Sequence, residues 1–151
     1  MICSKVLVPS GVLGLGFDIE ALKNGLNSKP DIISIDGGST DSGPYSLGSG
    51  TSKYSRSAIK SEWKILMKAR EEAKIPLLIG SSGTCRTDEM VDWMEDITIE
   101  LAEEMGQSIK ITKLYCEQDK EFIKTSFKNQ KISSLDPSPK IDTDIIQDMS
   151  H

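Results

Sequence analysis

The chain has 151 residues, 37% hydrophobic and 27% charged, which is the profile of a single globular domain with a real core and not of a disordered or low-complexity chain. Its net charge of −5, with lysines scattered and no basic stripe, argues against nucleic acid as a partner. Cys3, Cys85 and Cys116 form no close pair and the one histidine is His151, so a disulfide framework and a zinc finger are disfavoured, and a histidine-based triad in the body of the domain is excluded.

The apolar run at the N-terminus is broken by Pro9, Gly11, Gly14 and Gly16, which fits neither a secretory signal nor a membrane span. The expectation is a cytoplasmic protein without a membrane partner. Residues 5–8 read as a strand that ends in Pro9, Ser10 and Gly11. Leu15, Ile19, Leu22 and Leu26 then recur at helical spacing, with Asp18 placed as the cap. A second strand at 31–35 ends in Asp36, Gly37 and Gly38. The chain stays polar from there to about Ser57, too poor in apolar residues for a core element, and loops of that length are usually functional or disordered. Ile59, Trp63, Leu66, Met67 and Ala73 predict an amphipathic helix over 55–74.

Residues 75–79 read as the third strand, followed by Gly80, Ser81, Ser82, Gly83 and Thr84. Met90, Met94, Ile97, Leu101 and Met105 define the next helix, stopping at Gly106. Residues 109–115 read as a fourth strand, followed by Glu117, Asp119 and a short helix with Phe122, Ile123 and Phe127. The fold class expected is α/β: an open, mainly parallel sheet of about four strands with flanking helices, Rossmann-like, over residues 1–132. Residues 133–140, with Pro137 and Pro139, read as a linker. Ile141, Ile145, Ile146 and Met149 begin a helix expected either to dangle or to lie loosely on the domain as the start of a further part of a larger protein.

In an open parallel sheet, ligands bind beyond the carboxyl ends of the strands, where the polar runs of this sequence collect. Backbone N–H groups of glycine-rich turns suit an anionic group, so Ser10, Gly11, Gly37, Gly38, Ser39, Thr40, Gly80, Ser81, Ser82, Gly83 and Thr84 are the candidate ligand-binding residues. The run from Gly11 through Gly14 to Gly16 is not the dinucleotide fingerprint, no Walker-type lysine follows any loop, and tight packing of a turn on a helix is the alternative for Gly11 and Gly14. Asp36, Asp41 and Glu117 are the candidate catalytic residues, suited to proton transfer or to a divalent cation such as Mg²⁺. Asp119 could share the same duties, and the rival roles are an Asx turn for Asp41 and helix capping for Asp119. Cys85 beside Arg86 near a helix start could carry a thiolate; close packing under the loop is the alternative.

These loops resemble the N-terminal part of the acyclic terpene utilisation protein family, in its domain-of-unknown-function branch. The stretches that carry the resemblance start at Pro9-Ser10-Gly11, at Asp36-Gly37-Gly38-Ser39-Thr40-Asp41, at Gly80-Ser81-Ser82-Gly83-Thr84 and at Glu117-Gln118-Asp119-Lys120. It runs from Lys5 to the chain end, proteins of the family continue well beyond that point, and Cys85-Arg86 stand where smaller residues are expected. The resemblance implies the N-terminal ligand-binding portion of a catabolic lyase, hydratase or isomerase acting on a small carboxylate or coenzyme A thioester. The other class is a non-catalytic metabolite-binding or assembly module of a multi-subunit enzyme, gripping a small anionic metabolite, a small partner subunit or a second copy of itself. A nucleotide-binding domain is a further rival, weakened by the absent fingerprints.

Overall fold

The short apolar runs at 6–7, 32–36 and 77–80 form the strands, and the segments with helical periodicity form the layer that packs on them. The computed structural model describes residues 3–38, 43–134, 137 and 140–148. In chain order the elements are β1 (Val6–Leu7), α1 (Ile19–Asn27), β2 (Ile32–Asp36), α2 (Gly43–Ser49), α3 (Arg56–Ala73), β3 (Leu77–Gly80), α4 (Asp88–Met105), α5 (Lys120–Lys128) and α6 (Thr143–Asp148).

Local chemistry sets the helix ends. The Asp18 carboxylate accepts the N–H groups of Glu20 and Ala21 at the start of α1, and Ser55 and Thr87 accept from Ala58 and Met90 in the first turns of α3 and α4. Gly106, at φ +62°, closes α4 in the left-handed conformation that glycine adopts without a steric penalty.

The sheet is parallel throughout, with order β1-β2-β3, and Ile33 sits between Leu7 and Leu77. Side chains alternate across a strand, so Leu7, Ile33, Ile35, Leu77 and Ile79 share one face, where they join Leu22, Trp63, Leu66, Met67, Met94, Ile97 and Leu101 in the core. A consecutive strand order with crossovers of one hand puts every crossover helix on the same face. Among the described residues the opposite face is accordingly more open: Val6 is 55% and Leu78 54% exposed, and Ile32 and Ser34 are half-buried.

Helices α3 and α4 are clamped by a hydrogen bond from Trp63 Nε1 to Thr98 Oγ1 at 2.9 Å and by a charge ladder on the outer surface. In that ladder Glu100 holds Arg56 and Lys60, and Glu104 holds Lys60 and Lys64, at 2.5–2.7 Å.

Three elements differ from the sequence reading. The described sheet has three strands, because residues 109–115 make no ladder with β3; side chains hold this segment to α4 instead. The polar stretch after β2 contains α2, in which Ser46 is buried at 3% exposure; with no apolar stripe it gives no periodic signal. The last helix, α6, packs on α5 and buries Ile146, while Ile141 and Ile145 remain exposed. Half of the expected linker, residues 135, 136, 138 and 139, lies outside the described residues. Among the described residues no helix is long and apolar enough to cross a membrane.

Candidate functional site

The turns after the three strands lie side by side at the carboxyl edge of the sheet. Leu13 N–H donates to the carbonyl of Asp36 at 2.8 Å, Gly37 N–H donates to the carbonyl of Gly80 at 2.6 Å, and Lys53 N–H donates to Thr84 Oγ1 at 3.2 Å. Glycine is required at two of the contacts. A Cβ on Gly38 would stand 2.1 Å from Thr84 Cα, and one on Gly37 would stand 2.8 Å from the Gly80 carbonyl oxygen.

The first turn already holds an anion. Glu62, on α3, reaches it with both carboxylate oxygens and accepts the N–H groups of Gly14 and Gly16 at 2.7 Å each. The glycines after β1 thus cradle a carboxylate of the chain itself, with Tyr54 packed against Gly14. Among the described residues Ser10, half-buried, bonds only locally with Val12, and Gly11 is exposed with open space around its Cα.

The third turn is different. Ser81, Gly83, Thr84 and Arg86 all take positive φ, between +51° and +68°. Three of these are not glycine, and left-handed backbone costs such residues roughly 1–2 kcal/mol each. Such strain gathers at functional loops. Thr84, Cys85 and Arg86 spend their N–H groups on carbonyls inside the turn, whereas the N–H groups of Ser81, Ser82 and Gly83 meet no acceptor among the described residues. The Arg86 side chain is exposed and has no acidic partner among the described residues. Successive free N–H groups in a turn with left-handed residues form the concave donor set that binds anions.

The candidate acids occupy distinct settings. Asp36 closes β2 in register with Gly80; its Oδ1 accepts Gly38 N–H at 3.0 Å, and Oδ2 has no partner among the described residues. Glu117 is exposed and tied reciprocally to the start of α4, accepting Asp88 N–H at 3.0 Å while its own N–H donates to Asp88 Oδ1 at 3.3 Å. Asp119 caps α5. Ser39, Thr40 and Asp41 lie outside the described residues. Among the described residues no group of three His, Cys, Asp or Glu side chains converges to hold a metal ion. Cys85 is fully buried, 3.6 Å from Thr87 Oγ1, and is a core residue.

Beside the third turn opens a cleft of about 720 Å³, with β3, Ser81, Ser82 and Arg86 on one side and residues 109–114 on the other, joined by Trp63, Met67, Val91 and Met94 from α3 and α4. The outer segment is held by exposed polar groups. Lys113 Nζ contacts Asp92 at 2.8 Å and Glu95 at 2.5 Å, and Tyr115 donates its hydroxyl to Asp92. The hydrogen bond from Lys113, helped by that from Tyr115, holds the Asp92 carboxyl below the usual carboxylate range, and the same acids push the Lys113 ammonium above its usual value.

Of the residues singled out in the sequence, Gly80, Ser81 and Ser82 line this cleft, and Asp36, Gly37 and Gly38 lie one strand away. Ser10, Gly11 and Glu117 do not line it. Glu62 and the open role of Arg86 were not apparent from the sequence. Glu62 lies on a helix far along the chain from Gly14, and Arg86 was linked there only with Cys85. No protein-family model matches the chain, and no curated protein or solved structure shows significant similarity to it.

Proposed function

We propose that this domain is the ligand-binding portion of a catabolic lyase, hydratase or isomerase, and that it grips a small carboxylate or acyl thioester on the turn after β3. The observation that carries the reading is the donor set itself: among the described residues, three successive N–H groups at Ser81, Ser82 and Gly83 have no acceptor, and the guanidinium beside them has no acid. Asp36 is the group that moves a proton. Its Oδ2 has no partner among the described residues and its Cα pairs with Gly80 at the head of the turn, whereas Glu117 is committed to the α4 terminus. The likeness to the acyclic terpene utilisation family at these same turns supports the same class of ligand, as does the Rossmann-like placing of the turns at the carboxyl ends of parallel strands.

The test is calorimetric titration of the chain with a panel of carboxylates and acyl thioesters, alongside Arg86→Ala. Saturable binding that Arg86→Ala weakens at least tenfold supports the reading. Binding indifferent to Arg86 would remove the turn from recognition.

A further inference from the structure

Both walls of the cleft beside β3 expose unpaired main chain. In a parallel ladder the N–H and C=O of one residue point toward the same neighbour, and successive residues alternate. Pro76 and Gly80 give their carbonyls to the N–H groups of Ile33 and Gly37. Leu77 and Ile79 therefore turn their backbone groups away from β2, toward the cleft, where nothing among the described residues meets them. Across the cleft, the backbone of residues 109–115 makes no hydrogen bond among the described residues, and the segment is held by Ile109 packed on the core and by the Lys113 and Tyr115 side chains.

We propose that this cleft is the berth of one β-strand donated by a partner polypeptide, a strand with aliphatic residues at alternate positions and an acidic flank. Size, pairing and charge each favour that occupant. Four residues of strand, at about 3.3 Å rise, 4.8 Å spacing and 10 Å layer thickness, fill roughly 630 Å³, close to the 720 Å³ of the cleft. A strand there would find hydrogen-bonding partners on both edges, completing the sheet out to residues 109–115, in the β-augmentation mode of recognition. Trp63, Met67 and Met94 give alternate aliphatic side chains an apolar bed. Arg86 and Lys110 line the cleft without acidic partners among the described residues, and the one lining acid, Glu95, is already paired with Lys113. An acidic flank on the strand neutralises that surplus, even though the chain as a whole is negative. This berth runs along the edge of β3 and shares Ser81, Ser82 and Arg86 with the turn proposed above to hold the anion. The main-chain pairing can therefore hold without that reading, while the acidic flank would compete with a carboxylate for Arg86.

The experiment uses the 151-residue chain and a capped hexapeptide of alternating valine and threonine that ends in two aspartates, followed by amide hydrogen exchange. Saturable slowing by tenfold or more at Leu77, Ile79 and residues 109–114 is expected. N-methylation of either alternate set of peptide amides should weaken binding at least tenfold, because both edges of the strand are used. Lys110→Glu should weaken it at least threefold, while Arg86-dependent binding of small carboxylates to the turn persists. Equal binding by the N-methylated peptides would make the cleft an apolar pocket for a small molecule and overturn the proposal, as would the absence of protection at β3. A concentration-dependent dimer that protects Leu77 and Ile79 without added peptide would assign the berth to a second copy and overturn the partner strand.

Discussion

Glu62 Oε2 accepts the N–H of Gly14 at 2.7 Å, across 48 residues of sequence, and its other oxygen does the same for Gly16. A carboxylate from α3 thus takes the position in the first turn that an anionic ligand would otherwise use, and it fixes the turn to the helix layer. Hydrogen bonds to a charged group are worth about 1.5–3 kcal/mol, so Glu62→Ala should destabilise the fold by an amount in that range. Glu62→Gln, which keeps only one acceptor, should lose less. Denaturant unfolding measures both, and a neutral Glu62→Ala would show that the turn stands without the carboxylate.

Gly38 and Gly80 make a matched pair for testing how tightly the turns are packed. A Cβ at Gly38 collides with the backbone of Thr84, whereas one at Gly80 meets nothing within 4 Å. Gly38→Ala should therefore cost about 1–3 kcal/mol or more through overpacking, and Gly80→Ala should stay within about 0.5 kcal/mol of the parent. Thermal unfolding separates the two, and similar values for both would mean that the second and third turns are loosely apposed.

Arg86 holds its backbone at φ +64°. Glycine relieves that conformation, against a loss of roughly 0.5–1 kcal/mol from its freedom in the unfolded chain. Arg86→Gly should therefore leave stability unchanged or raise it by up to about 1 kcal/mol, while removing the guanidinium from the turn. The expected pairing is unimpaired unfolding with weakened carboxylate binding. A loss of several kcal/mol on unfolding would give Arg86 a structural role instead.

Hydrogen bonds from Lys60 and Lys64 hold the Glu104 carboxyl down at about 2, from an ordinary value of 4.5. Because the folded value is the lower one, the favourable linkage is present in full above about pH 4.5 and is lost as pH falls toward 2. Glu104→Gln should accordingly flatten the acid limb of stability between pH 4.5 and 2 relative to the parent. The groups are exposed, so salt should shrink the difference. An unchanged acid limb would mean that the ladder between α3 and α4 contributes nothing to stability.

Helices α1, α3 and α4 were legible in the sequence because apolar residues recur at helical spacing, with Asp18 before α1 and Gly106 after α4, whereas α2 carries no such stripe. The three strands were legible because short apolar runs end in polar turns. Residues 109–115 alternate apolar and polar side chains as a half-buried strand would, but pairing is decided by tertiary position, and Lys113 and Tyr115 commit the segment to α4. Within the site, the glycines marked where chains approach closely, as Gly37 and Gly38 do. Composition alone could not separate a filled anion cradle from an open one. That distinction rests on Glu62 for the first turn and on unpaired donors at Ser81, Ser82 and Gly83 for the third.

The most direct test is to follow the backbone amide resonances of the chain while a small carboxylate that binds is titrated in. The account predicts saturable shifts centred on Ser81, Ser82 and Gly83, lost in Arg86→Ala, with Gly14 and Gly16 unmoved because Glu62 occupies them. Shifts centred on Gly14 and Gly16, or on residues remote from all three turns, would contradict it.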